Sequence, residues 1–363
     1  MKVLLAILLT AWVSLSFAVQ PEQITIYGYT KFDICYDTDR INDGNYARWV
    51  EAGEDENIFN ATARQTRLGL NMSGLSTEKT KTSGKVELDF FGGGAENKNT
   101  PMMRHAFMKL EWPEHNLSLL AGQTSDVISP LVPTTVNYPV LWWAGDIGYR
   151  RPQLRVSKGF GQSDLQLHLE AALARATGDE EGNPNVQGRA AVSFPLLTDK
   201  QTTLGASGHY GQSEGELKTW SANTELVLPI AKQLALNAEA WTGENMDDFL
   251  GGIAQGIRFV DKDGDGTKET PNNEIASMGG WAAITVGPFG QWQFNLGGSV
   301  DDPDDADLDD GARARNLATF GNVLFEVNKA AQIGVEVSYW ETKYKNQEDR
   351  TSLRGQSSFR YQF

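Results

Sequence analysis

The sequence predicts an all-β protein: a transmembrane antiparallel up-and-down β-barrel of sixteen strands, with a long third loop folded into the pore. Three observations predict it. Segments of about ten residues alternate apolar and polar side chains, the period of a sheet with one apolar face. The connections between them trade places between long and short. The last segment, residues 357–363, sets Phe359, Tyr361 and Phe363 on one face, opposite Ser358, Arg360 and Gln362, and stops on an aromatic. In water such an apolar edge invites aggregation; in a bilayer, aromatic side chains settle at the interface.

Taken in order, the chain begins with Lys2 and an apolar run from Val3 to Leu9 that continues with breaks to Phe17. Ser16-Phe17-Ala18 supplies small residues for a signal peptidase, so residues 1–18 are expected to be a secretory signal and 19–363 the barrel. No other window has the roughly 20 apolar residues of a spanning helix, so a membrane would be crossed by strands. These are read near 22–36, 62–73, 83–91, 102–112, 115–123, 152–160, 163–174, 187–194, 201–211, 217–228, 234–242, 279–287, 290–299, 314–327, 331–341 and 350–363. In the first, Ile24, Ile26, Phe32 and Ile34 oppose Thr25, Tyr27, Lys31 and Asp33; in the third, Val86, Leu88 and Phe90 oppose Lys85, Glu87 and Asp89. Leu165, Leu167 and Leu169 oppose Gln166, His168 and Glu170, and Ile333, Val335, Val337 and Tyr339 oppose Gly334, Glu336 and Ser338. The stretches 37–61, 124–151, 175–186, 243–278 and 300–313 are long connections, while most others are short turns. That is the expected pattern of long extracellular loops and short periplasmic turns.

The face opposite the apolar one carries Asp33, Arg67, Lys85, Glu87, Arg155, Glu170, Arg189, Glu225, Glu239, Glu336, Arg354 and Arg360, among others. Burying such charges dry costs several kcal/mol each (roughly) unless they are paired. A wide barrel holds water there instead, which turns the pattern into a channel. The formal net charge of −15 argues against nucleic acid, whose binders need a basic footprint. Cys35 is the only cysteine, which rules out an intrachain disulfide and reads as a pore-side bystander.

Several pieces resemble the trimeric porins, and among them the DcaP-like porins: Gly84-Lys85-Val86-Glu87-Leu88-Asp89-Phe90-Phe91, Arg104-His105-Ala106-Phe107, Leu120-Ala121-Gly122-Gln123-Thr124, Arg151-Pro152-Gln153-Leu154-Arg155, Gly279-Gly280-Trp281 and Tyr339-Trp340-Glu341-Thr342. The resemblance implies a sixteen-stranded homotrimer that passes small hydrophilic solutes, anions such as dicarboxylates among them. It also implies a place among outer-membrane lipid and lipopolysaccharide. The C-terminal Phe359, Tyr361 and Phe363 resemble the signal read by the barrel insertion machinery. Some members carry a long helical N-terminal extension; here the first strand starts close after the expected cleavage site.

The candidate sites follow from this frame. The segment 124–151 is rich in apolar and turn residues, Ile128, Leu131, Val132, Tyr138, Trp142 and Trp143 among them, which an outside loop would not spend. Folded inward, it would bring Asp126 and Asp146 to the constriction, facing the inward Arg67, Lys85, Arg104 and Arg155. Such a field sorts solutes by charge, and the other reading is that these arginines merely pair with acids of the wall. The fourth strand is awkward: placing Arg104 inward puts Lys109 and Glu111 outward. Asp261, Asp263, Asp265 and Thr267 resemble the start of a calcium loop over 261–272, with Asn272 where the closing Glu belongs and Glu269 as a substitute; Ca2+ is the one cofactor considered, and an acidic surface turn is the other reading. Asp301 to Asp310 form a second acidic loop, read as a solvated surface. There is no Gly-x-Ser-x-Gly elbow and no zinc helix, so no enzyme is expected. The alternatives are a barrel-anchored hydrolase, or a closed barrel acting as a structural or adhesive surface protein.

Overall fold

The alternating segments do form strands, because each can turn its apolar face outward and bond both edges to neighbours. The computed structural model describes residues 23–42, 46–53, 56–74, 76–95, 97–176, 183–212, 217–262, 267–268 and 270–363. The expected signal peptide lies outside the described residues. In order the strands are β1 (Ile24–Asp37), β2 (Ile58–Thr62), β3 (Arg67–Ser73), β4 (Lys81–Asp89), β5 (Met102–Trp112), β6 (Leu117–Ser125) and β7 (Arg150–Gln162). Then come β8 (Leu165–Ala174), β9 (Asn185–Pro195), β10 (Gln201–Gln212), β11 (Lys218–Ala231), β12 (Leu234–Glu244), β13 (Ile257–Val260) and β14 (Thr270–Glu274). The chain ends with β15 (Ala276–Phe289), β16 (Trp292–Pro303), β17 (Arg313–Glu326), β18 (Ala331–Tyr344) and β19 (Arg350–Gln362).

Each wall strand pairs antiparallel with the next, and β19 returns to β1, from Tyr29 opposite Gln362 to Asp37 opposite Arg354. Two mutual backbone hydrogen bonds between Gly28 and Phe363, each 3.1 Å, extend the seam to the last residue. β2 pairs with the upper half of β1 and β3 with the lower half, so the two are one wall strand broken at residues 63–66. β13 and β14 pair only with each other, as a hairpin inside a long loop. The wall therefore has the sixteen strands that the alternation predicts. Closure removes every free sheet edge, the condition for a sheet to stand in lipid.

The outer surface is apolar. Ile26, Leu165, Leu173, Leu204, Leu296 and Val337 are exposed on it. Aromatics frame it at both ends: Tyr36, Phe59 and Tyr210 toward the long loops, and Phe160, Phe289, Trp292 and Tyr361 toward the short turns. Trp292 packs on Phe325 with ring centroids 4.4 Å apart. Phe359, Tyr361 and Phe363 are exposed on this outer face.

β5 differs from the expected register. Glu87 is opposite His105 but Leu88 is opposite Met103, so Arg104 is an extra residue, a bulge. Arg104 and His105 then both face inward, and the alternation restarts with Phe107, Lys109 and Glu111 inward and Met103 and Met108 exposed outside. Lys109 and Glu111 pair at 2.9 Å on the lumen side rather than meeting lipid.

A charge in the apolar belt should be costly and the same charge one residue away should not. Leu296→Arg, at a site 64% exposed on the outer face, is expected to lower the unfolding free energy in lipid vesicles by about 2–4 kcal/mol. Gln293→Arg, on the lumen face of the same strand, should change it little; equal losses would refute the assignment of faces.

Candidate functional site

The interior is divided rather than open. Loop 3 (residues 126–149) leaves β6, crosses the lumen and returns to β7. A buried loop must pair its own amides and carbonyls, since no water reaches them. The wall supplies the partners. Glu336 on β18 accepts from the Val136 and Asn137 amides (2.7 and 3.4 Å), and Glu239 on β12 accepts from the Leu131 amide (2.9 Å). Asn322 and Asn316 on β17 donate to the carbonyls of Thr134 and Trp143, both at 2.8 Å. The Trp241 indole donates to the Gly145 carbonyl (2.8 Å).

Two further loops join loop 3, which the sequence reading did not anticipate. Loop 1 (residues 38–57) brings Ile41, Ala47 and Val50 against Leu141 and Ala144 of loop 3 and against Trp281, Phe320 and Trp340 of the wall. Loop 6 (residues 245–275) brings Leu250 and Ile253 into a second cluster with Trp49, Tyr138, Trp142 and Trp143, and Met246 and Phe249 into a third with Ile128, Ile147 and Trp241. The signal was weak: apolar residues are fewer in these loops than in loop 3 and lie among many charged ones. The packing seals the lumen along β12 and β15 to β18. A row of charged side chains remains partly exposed along β3 to β9.

On that side the predicted cations sit in a row. Arg67 and Lys85 both approach Glu87, at 3.5 and 3.6 Å, and stack over Tyr29 and Tyr27. Arg155 lies 3.7 Å from Glu170 and donates to the Ser125 carbonyl at the root of loop 3. Glu170 in turn meets Arg189 (3.0 Å), whose guanidinium crosses β10 to Glu225 on β11 (3.0 Å). That crossing passes over Gly205: a Cβ there would lie 2.6 Å from the Glu225 carboxyl carbon.

Arg104 plays a different part. It donates to Glu87 (2.8 Å), Asp89 (2.8 Å) and the Tyr138 hydroxyl (2.6 Å), and Tyr138 donates to Asp89 (2.7 Å). It is buried and clamps loop 3 to β4 and β5. Asp126 and Asp146, placed at the constriction from sequence, are also buried, and Asp126 serves as a strut. Asp126 pairs with Arg151 (2.8 Å) and accepts from Gln187 (2.7 Å) and from the Tyr149 amide (2.8 Å). Asp146, within loop 3, is wholly buried. Burial, with Glu239 beside it, pushes its carboxyl well above the usual carboxylate range.

Of the expected calcium loop, Asp261 and Thr267 are described, while Asp263, Asp265 and Glu269 lie outside the described residues. Among the described residues no group of three or more His, Cys, Asp or Glu side chains could hold a metal ion. His209 bonds Ser221 (2.8 Å) and Thr219 (2.9 Å) but is buried beneath Phe249, ring centroids 3.8 Å apart, where no substrate could reach it.

No family model matches the chain, and no curated protein matches it either. Solved structures do. The outer membrane channel DcaP of Acinetobacter baumannii superposes with a TM-score of 0.75 at 18% identity, over 94% of this chain and 97% of that one. An anion-selective porin from Comamonas acidovorans gives 0.61 at 12% identity, over 94% and 99%. Salmonella typhi OmpF, in complex with daunomycin, gives 0.64 at 11% identity, over 94% and 97%. The fold is that of the outer-membrane porins.

Two variants test the seat of loop 3. Tyr138→Phe keeps the ring and removes the hydroxyl shared by Arg104 and Asp89, so it should destabilise the closed loop by about 1–2 kcal/mol and speed proteolysis within residues 126–149. Asp146 is held as the acid, so its seat is at full strength below the ordinary carboxylate pKa and weakens as pH rises above it. Asp146→Asn should flatten that proteolysis profile above the ordinary carboxylate pKa; an unchanged profile would remove Asp146 as its source.

Proposed function

We propose that the chain is a porin of the bacterial outer membrane: a water-filled passive diffusion channel for small hydrophilic solutes, favouring anions such as dicarboxylates, and working as a homotrimer. One observation carries the charge preference. In the open part of the lumen the cations stand nearer to water than the carboxylates they pair with: the side chains of Arg67 and Lys85 are 20% and 29% exposed, that of Glu87 only 5%. Arg155 and Arg189 cover Glu170 in the same way, though by a narrower margin. A passing solute therefore meets guanidinium and ammonium groups first, although the whole chain is acidic. Rings of basic side chains favour anions. Much of the net negative charge sits instead in the loop Asp304 to Asp310, at the end of the barrel that would face lipopolysaccharide and its divalent cations. The trimer rests on the resemblance to porins, and the passive mechanism on the absence of a nucleotide-binding loop in the sequence.

The test is single-channel recording of refolded protein in a planar bilayer under a salt gradient. Stepwise currents closing in groups of three, with a reversal potential of the anion-selective sign, are expected. Arg155→Gln and Arg67→Gln should each move that potential toward zero. A well-inserted barrel that never conducts would sink the channel, and a cation-selective potential would sink the preference alone.

A further inference from the structure

We infer that the lumen holds a separate subsite below loop 3 that takes small hydroxylated carboxylates, the chemistry of aldonates and uronates. It rests on the channel reading above and narrows the solute class. The site is a cavity of about 310 Å³ between the tip of loop 3 and the wall, on the short-turn side, lined by Tyr29, Lys31, Gln65, Gln293, Gln332 and Arg360. That volume is at the small end for ligand pockets and suits a six-carbon acid.

Its charge is unbalanced in a specific way. Lys31 is spoken for: it pairs with Asp33 (3.1 Å) and donates to Gln65 and to the Val136 carbonyl (3.0 Å). Arg360 is not. Among the described residues its guanidinium has no ion pair and no hydrogen bond, only the Tyr29 ring, 5.7 Å from its centroid. Arg67, on the same ring at 5.2 Å, has Glu87; Arg354, six residues back along β19, has Asp37 at 2.8 Å. Arg360 thus offers a free planar fork, the geometry that binds a carboxylate through two parallel hydrogen bonds.

Apart from Lys31 and Arg360 the polar lining is uncharged, glutamine amides with the hydroxyls of Thr134, Thr135 and Ser358, beside the apolar Val136 and Leu324. Gln332 lies directly opposite Arg360 in the β18–β19 register, and its side chain has no protein partner among the described residues. Gln65 uses its carbonyl for Lys31, which leaves its amino group. Gln293 uses its amino group for Asn295 (3.2 Å), which leaves its carbonyl. A hydroxyl both donates and accepts, so it can serve either kind of leftover group. A methylene chain can serve neither, and a site built to hydrogen-bond a hydroxyl discriminates against the analogue that lacks it. Space is kept by Gly334, where a Cβ would meet Val136 at 3.0 Å and Leu324 at 3.1 Å.

Isothermal titration of the full-length protein in detergent with gluconate, hexanoate and glucose tests this, beside bilayer recordings of the same preparation. Gluconate should bind about tenfold or more tighter than either of the others, since each lacks one half of the recognition. Arg360→Gln should remove most of that affinity and Arg360→Lys should restore part of it. Gln332→Leu, which leaves Arg360 in place, should erase the advantage of gluconate over hexanoate. Equal binding of gluconate and hexanoate, or gluconate binding indifferent to Arg360→Gln, overturns the subsite. Conductance without gluconate binding would overturn the subsite and leave the channel standing; gluconate binding without conductance would do the reverse.

Discussion

A loop that runs through the inside of a barrel has to find a partner for every amide and carbonyl it takes out of water. That constraint organises this molecule. It explains why the inner wall carries Glu336, Glu239, Asn322, Asn316 and Trp241 where it does: each meets a backbone group of loop 3. Asn316 also takes the Arg48 carbonyl of loop 1, so one wall side chain fastens two loops. Carboxylates serve well as acceptors for paired amides, because two oxygens can each take a donor. The apolar side chains of the same loops then pack on Trp281, Phe320 and Trp340, inward positions where a uniformly watery lumen would have polar residues.

Filling one side of the lumen moves the aqueous path to the other. The charged row along β3 to β9 is a consequence of where the loops are not. Its carboxylates lie behind its cations because they have structural work as well: Glu87 holds Arg104, and Arg104 holds Tyr138. The acidic net charge and the basic channel face are thus compatible, since the acids are spent on anchoring and on the outer loops. A formal charge counted over the whole chain contains no information about which partner of each pair is turned toward water.

The wall was legible in the sequence because the barrel uses the simplest code there is: alternate residues to lipid and to lumen, with turns between. All sixteen wall strands lie where the alternation places them, and the inward position of Arg67, Lys85 and Arg155 follows from it. Two things were not legible. The bulge at Arg104 adds one residue to β5, and a period-two count cannot know where to skip; Lys109 and Glu111 therefore seemed to face outward until the register was seen. The burial of Asp126 and Asp146 depends on Arg151, Gln187 and Glu239, each far from them in sequence or set by the path of the loop. Composition marked loop 3 as an inward loop, but loops 1 and 6 set fewer apolar residues among more charge, and nothing local says that the three would share one core.

The seat of loop 3 and the charge of the lumen meet in one group of wall residues. Arg104 on β5 is held by Glu87 and Asp89 of β4, and Tyr138 is the loop's contact with that group. Glu87 is also the neighbour of Arg67 and Lys85. Because Arg104, Glu87 and Asp89 all stand on the wall, releasing Tyr138 leaves their pairing in place. The loop can therefore shift without taking the counter-ion away from Arg67 and Lys85. Asp89, 2.8 Å from Arg104 and wholly buried, carries the other half of that pairing, so the charge that holds the loop is kept apart from the exposed cations.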